Sequence, residues 1–297
     1  MAQTLPMVVT QMQPTAFSQW MRRHLKDAYS GLIVHDIDYL LYFPATRRLY
    51  LLEEKRRRGA RVGPAQAVAY AALDDLLHLV NGTSRRFPHY AGSLLFYYDD
   101  ATRLIRVYPH QQRAMPPTTF LKRLGAGAFP ISSAWFRTII ERTRDRLWDC
   151  RGAPPYRKTE PERSALRFAP LFKSLKPHYI VAQVDWLLIN YCTGLIVALG
   201  ERPLKPPEKN LVLLWDRMLK QASALNRQKR CAVNPASGSV YRYLGYYELL
   251  YTPQGPYSIT DCKLNQRPVT TKQLTTLLNL EDLTAWKALL TGQTTRE

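Results

Sequence analysis

The chain reads as an α/β protein made of two tandem copies of one fold, and three observations carry that expectation. A hairpin followed by a helix occupies residues 35–80, its motif returns near residue 180, and a Pro-rich charged stretch lies between the two. At 297 residues the chain is long enough for two cores. The expected division is residues 1–151, a linker over 152–163, and residues 164–297, with the two copies packed about a pseudo-twofold axis.

A first helix is expected over Phe17 to Tyr29. His35 to Phe43 and Leu49 to Lys55 are rich in Ile, Leu and Tyr and read as strands, with Pro44 to Arg48 as the turn. Gly63 and Pro64 open a helix that runs to about Val80, with Ala65, Val68, Ala72, Leu76 and Val80 as its apolar stripe. A further helix spans Ser132 to Trp148, with Trp135, Ile139 and Leu147 facing inward. Gly152 to Arg163 is the linker, and Ser164 to Lys176 begins the second copy as a helix. Tyr179 to Gly200 is apolar enough to suggest a membrane span. It carries Gln183, Asp185 and Asn190, so a buried pair of strands is the expected form.

The hairpin is where chemistry concentrates. If Tyr42 faces Leu49, then Asp38 sits opposite Glu53. Alternation puts Asp36 with Asp38 on one strand and Glu53 with Lys55 on the other. Two carboxylates and an ammonium then share one patch, and His35 is expected on the opposite strand face. Neighbouring carboxylates repel and call for a cation, while a lysine offsets part of their charge. Gln66 and Tyr70, four apart, share one face of the following helix. A solvated hairpin with a cross-strand Asp/Lys pair is the plainer alternative. Against it, these acids lie inside apolar runs, where unpaired charge is costly.

Asp38, Glu53-x-Lys55 and Gln66-x-x-x-Tyr70 resemble the motifs of the PD-(D/E)xK nuclease superfamily and its RecB-like branch, over roughly residues 15–120. The resemblance implies two restriction-endonuclease-like domains, each a mixed sheet flanked by helices. It implies Asp38 and Glu53 as ligands of Mg²⁺ (or Mn²⁺), Lys55 as the catalytic lysine, and Gln66 and Tyr70 as auxiliary residues. Asp36 is a second candidate for the first acid. Hydrolysis would leave a 5′-phosphate, by endo- or exonuclease action. Two features depart from the pattern: the first helix offers only His24 and Asp27 where an upstream Glu is expected, and no cysteine cluster is present.

Ile33-Val-His-Asp-Ile-Asp38-Tyr-Leu-Leu returns as Ile180-Val-Ala-Gln-Val-Asp185-Trp-Leu-Leu. Further matches pair Tyr90-Ala-Gly92 with Tyr243-Leu-Gly245, Pro116-Pro-Thr-Thr119 with Pro268-Val-Thr-Thr271, and Ala134-Trp135 with Ala285-Trp286. Counting without a gap, Gly200 replaces Glu53, Arg202 replaces Lys55, Gln183 replaces Asp36, and Leu213 and Arg217 fall where Gln66 and Tyr70 would. Gly cannot ligate a cation and Arg does not release its proton. One competent site and one dead one are expected, so one strand is cut per engagement unless a homodimer or larger complex supplies a second site.

Composition agrees with a nucleic-acid partner without distinguishing DNA from RNA, and the expected nuclease is read as acting on DNA ahead of RNA. Lys plus Arg number 42 against 23 acids, a net charge of +19. Arg56, Arg57, Arg58 and Arg61 follow the acid–lysine strand, where they could neutralise phosphates. A catalytically inactive nucleic-acid-binding or assembly subunit, or an RNA-processing nuclease, would fit the charge equally well. The four cysteines are scattered without metal spacing, which suits a reducing cytoplasm, and the charge suits association with a nucleoid. Met1 to Pro14 lacks the apolar core of a signal peptide. Gly125-Ala-Gly127 lacks the third glycine of a dinucleotide loop, and no phosphate-binding Gly-Lys-Ser/Thr loop or Gly-x-Ser-x-Gly elbow is found. ATPases and serine hydrolases are therefore disfavoured.

Overall fold

A computed structural model describes residues 15–26, 31–55, 62–99, 101–108, 113–129, 134–147, 178–235 and 237–291. The expected linker, the helix over Ser164 to Lys176, and Arg56, Arg57, Arg58 and Arg61 lie outside those residues.

Helix α1 (Ala16–His24) starts where the Thr15 hydroxyl accepts the amide of Ser18, and it buries Phe17, Trp20 and Met21 at helical spacing. Strands β1 (Leu32–Phe43) and β2 (Arg48–Lys55) form the expected antiparallel hairpin, with Tyr42 paired to Leu49 and Tyr39 to Leu52. Helix α2 (Pro64–His78) begins with Pro64 after Gly63. It carries the chain across to β3 (His89–Asp99), which pairs parallel to β2 because a helical crossover returns the strand in the same direction. Strand β4 (Leu104–Tyr108) closes that side antiparallel. Helices α3 (Pro117–Ala126) and α4 (Ala134–Leu147) follow.

The remaining elements run in the same order. Strands β5 (Ile180–Asn190) and β6 (Leu195–Gly200) are an antiparallel hairpin, so the apolar run at 179–200 is a buried strand pair. Helix α5 (Pro206–Lys229) crosses to β7 (Arg242–Pro253), which is parallel to β6, and β8 (Ile259–Leu264) with the short β9 (Arg267–Pro268) continue antiparallel. Helices α6 (Thr271–Leu278) and α7 (Leu283–Thr291) end the described chain. Among the described residues no helix is long and apolar enough to cross a membrane.

All nine strands form one mixed sheet in the order β4-β3-β2-β1-β5-β6-β7-β8-β9. Its centre is the antiparallel β1–β5 pair, and that register is reciprocal. Ile33 faces Ile189 while Tyr42 faces Ile180, Val34 faces Leu188 while Leu41 faces Val181, and Ile37 meets Val184 between them. The two hairpin turns also agree: Arg47 and Gly194, at equivalent places, both have positive φ (51° and 73°).

Helices α2, α4 and α5 cover one face of the sheet, over a core that draws Leu40, Leu51 and Tyr70 together with Leu187, Ala198 and Trp215. The other face carries two clusters. One joins Tyr39, Leu41 and Phe96 to α3, and the other joins Trp186, Val197 and Leu249 to α6 and α7. Helix α1 packs in the second of these, so the N-terminal segment lies on strands of the C-terminal half.

Several expectations need correction. On α4 the most buried residues are Phe136 and Ile140, one position on from the expected Trp135 and Ile139, which are only partly covered. The reason is that α4 lies on α2, where Phe136 stacks on Tyr70 (5.5 Å between centroids). The Ala-Trp match is not a structural equivalence, because Trp135 packs with the α2 face and Trp286 with the opposite one. The α2 stripe broadens to nearly the whole helix, since the sheet, α4 and α5 surround it.

Candidate active site

The acidic cluster forms where β1, the end of β2 and the start of α2 meet. Asp38 lies opposite Glu53 when the Tyr39–Leu52 register is continued by one residue. Both carboxylates are buried. The Asp38 Oδ2 accepts the backbone amide of Glu54 at 2.7 Å. Glu53 is the hub. Its Oε1 accepts from Lys55 Nζ at 3.1 Å and from the Gln66 amide, and its Oε2 accepts the Tyr70 hydroxyl at 2.8 Å. Lys55 also donates to Gln66 Oε1, which closes a ring of three side chains. Gln66 and Tyr70, one turn apart on α2, thus both grip Glu53. Asp36 is the most exposed of the acids and pairs with the edge of the cluster through His35 (Nδ1 to Oδ1, 3.6 Å).

His35 belongs to this site, contrary to the alternation argument. Its Nε2 lies 3.6 Å from Glu53 Oε2 and 3.3 Å from Gln66 Nε2, and its ring meets Tyr70 edge-on at 5.5 Å. The cause is a bulge. The β1–β5 register shifts between His35 and Ile37 and again between Ile37 and Leu40. Ile33 and Ile37 therefore share a core face with Leu40, although strict alternation would separate odd from even positions. The strand sequence carries no mark of that extra residue.

The electrostatics separate the two acids. Burial, then the charges of Glu53 and Asp36, push the Asp38 carboxyl well above the usual range. Burial also opposes ionisation of Glu53, but the hydrogen bond and charge of His35, the Lys55 ammonium and the Tyr70 hydroxyl outweigh it and hold Glu53 at about 2. The His35 imidazole is raised, because its contact with Glu53 overcomes the burial that would lower it. Two neighbouring buried carboxylates thus differ sharply in basicity.

The donor set suits a hard divalent cation. Asp38 keeps an oxygen beyond its bond to Glu54, and a cation would relieve the repulsion that raises Asp38, whereas Glu53 Oε1 already accepts from Lys55 and Gln66 and its Oε2 from Tyr70. Among the described residues no group of three or more His, Cys, Asp or Glu side chains is placed to hold a metal ion.

The corresponding corner of the second half is built differently. Asp185 Oδ2 accepts the amide of Glu201 at 2.7 Å, as Asp38 does from Glu54, and Trp186 Nε1 donates to Glu201 where Tyr39 donates to Glu54. At Gly200 a Cβ would fall 1.8 Å from the Tyr246 hydroxyl, so the tyrosine fills the space a side chain would use. Arg202 bridges Asp185 Oδ1 (3.3 Å) and Glu208. The ungapped match to Leu213 and Arg217 does not hold. Glu208 is the third residue of α5, as Gln66 is of α2, and it takes the Arg202 guanidinium as Gln66 takes Lys55. Val212 then matches Tyr70, because the connection into α5 is shorter than that into α2. A permanent guanidinium thus lies between two buried acids.

Fold and site define a mixed α/β protein with a buried acid–lysine–glutamine cluster at a strand–helix junction. No known protein-family profile and no solved structure matches the chain. An uncharacterized protein of Archaeoglobus fulgidus is 30% identical over 138 residues, which cover 42% of this chain and 89% of that protein. A second uncharacterized protein of the same organism is 32% identical over 73 residues, 25% of this chain and 51% of its own length. The chain belongs to the same family as the first of these archaeal proteins.

Proposed function

We propose that the chain is a metal-dependent nuclease that hydrolyses phosphodiester bonds in DNA, with one working site per chain. The observation that carries the reading is the convergence of Lys55, Gln66 and Tyr70 on Glu53, with Asp38 beside it. Asp38 and Glu53 would hold Mg²⁺ or Mn²⁺, with Asp36 as the alternative first acid, and the bound ion would neutralise charge on the scissile phosphate. Lys55, held by Glu53 and Gln66, is placed to orient the attacking water. Tyr70 and Gln66 keep the Glu53 carboxylate from rotating, and His35 steadies it from β1. The net charge of +19 favours a polyanionic substrate.

The two halves are read as a duplicated restriction-endonuclease-like fold with a degenerate second site. The reciprocal β1–β5 register supports this, as does the repeated bond from the β2 and β6 amides to Asp38 and Asp185. The first A. fulgidus relative is covered almost end to end by less than half of this chain, so it is about the size of one copy.

A nicking and degradation assay on supercoiled, linear and single-stranded DNA and on RNA, with and without Mg²⁺, tests the reading. Cleavage should require the ion and disappear in Lys55→Ala and Glu53→Ala, while binding, which rests on many phosphate contacts, persists. Mn²⁺ titration by calorimetry should show a larger loss in Asp38→Asn than in Asp185→Asn. Undiminished cleavage in both alanine variants would refute the site. Metal-dependent cleavage of RNA alone would replace DNA as the substrate, and an absence of cleavage on every substrate would leave an inactive binding subunit.

A further inference from the structure

The two crossover helices are treated differently by the rest of the fold. Helix α4 lies along α2, and its Arg137 pairs with Asp75. Helix α5 packs on β5, β7 and α2, and among the described residues no helix covers its outer side. Counted from the helix start, the position of Asp75 is taken in α5 by Arg217. The acids of α5, Glu208 and Asp216, are both buried, so its solvent face carries no negative side chain. Arg217, Arg227 and Lys229 on the helix, and Arg230 just after it, are exposed and have no acidic partner among the described residues. Lys220, also exposed, pairs with Asp216. Among the described residues the only large exposed hydrophobic on this side is Leu213, too little apolar surface for a helix lying in a membrane interface.

We infer that the outer face of α5 is a docking surface for the phosphate backbone of duplex nucleic acid, so that the half with the degenerate site holds the substrate. The inference rests on the nucleic-acid reading above but not on cleavage. Helix α5 lies on the same sheet face as Glu53 and α2, so a duplex held along it approaches the site from the adjacent half. Sequence alone points to the arginines after β2. The α5 face emerges only when the fold shows which residues of the helix remain uncovered.

The test uses full-length chain carrying Lys55→Ala, without divalent ion, so that binding is read apart from chemistry. Anisotropy of a fluorescein-labelled duplex is measured against salt for this chain, for the further variant R217Q/R227Q/K229Q/R230Q, and for a control, R103Q/R106Q/R113Q/K122Q, which removes equal charge on β4, in the segments on either side of it, and on α3. The α5 variant should bind at least roughly tenfold more weakly near 0.1 M salt, with the log–log salt slope reduced by about 0.9 for each phosphate no longer neutralised. The control should change the slope far less. Equal weakening in the two variants would reduce the effect to net charge and overturn the surface, as would unchanged binding in the α5 variant. Phosphatidylserine vesicles form a second arm: loss of vesicle binding with duplex binding intact would also overturn it. A chain that binds through α5 but never cleaves would sink the nuclease reading and leave this one standing. A chain that cleaves but binds through other residues would do the reverse.

Discussion

Replacing Arg202 by alanine isolates the feature that distinguishes the second site from the first. The guanidinium is mostly buried, with 15% of its side chain exposed, and it is bonded to Asp185 and Glu208, each 6% exposed. Removing it leaves two buried carboxylates without their shared counter-charge. The Glu201 amide still donates to Asp185, but a neutral donor does not replace a full positive charge. Breaking a buried pair in this way costs about 3 to 5 kcal/mol, a large share of the ~5 to 15 kcal/mol that keeps a typical protein folded. Lys55→Ala should cost less, because Glu53 retains Tyr70, Gln66 and His35. Urea unfolding followed by tryptophan fluorescence, with Trp186 and Trp215 buried in the second half, reads the loss directly. A cost below about 1 kcal/mol at pH 7 would refute the view that Arg202 compensates these acids.

Two other outcomes follow from buried groups outside the candidate site. Burial pushes the Asp74 carboxyl up to about 6, despite hydrogen bonds from Ser93 and Tyr90. Its folded pKa exceeds the unfolded one, so the stability it contributes is present at low pH and is lost as pH rises through about 6, by up to roughly 3 kcal/mol. Asp74→Asn should remove that component, and identical pH slopes of the urea midpoint in the two proteins would contradict it. Gly200→Ala would drive a Cβ into the Tyr246 hydroxyl and its Cζ at 2.8 Å, so overpacking should cost about 1 to 3 kcal/mol. Adding Tyr246→Leu should recover part of the cost, and strictly additive effects in a double-mutant cycle would show that the two positions do not compete for one space.

Much of the candidate site can be read locally. Period-two alternation and the turn after Phe43 set Tyr42 against Leu49, and that register carries Asp38 to Glu53. The Gly63-Pro64 start of α2 then brings Gln66 and Tyr70 over the strand ends. These features depend on residues close in sequence, where propensity and side-chain period decide. His35 was not legible, because the bulge that turns it toward Glu53 arises from how β1 pairs with β5, about 150 residues away in sequence. The match of Glu208 to Gln66 was hidden by a shorter connection, which a count without gaps does not register. The path of the sheet through β1 and β5, and the packing of α1 on strands of the other half, belong to the same group. Apolar surface is non-directional, so an exposed strand edge or helix stripe states that it must be covered but not by what. That choice was made by shape and pairing between distant segments. It joined two hairpins into one sheet, set no helix among the described residues over the outer side of α5, and put an arginine between the acids of one corner while a lysine, a glutamine and a tyrosine hold the glutamate of the other.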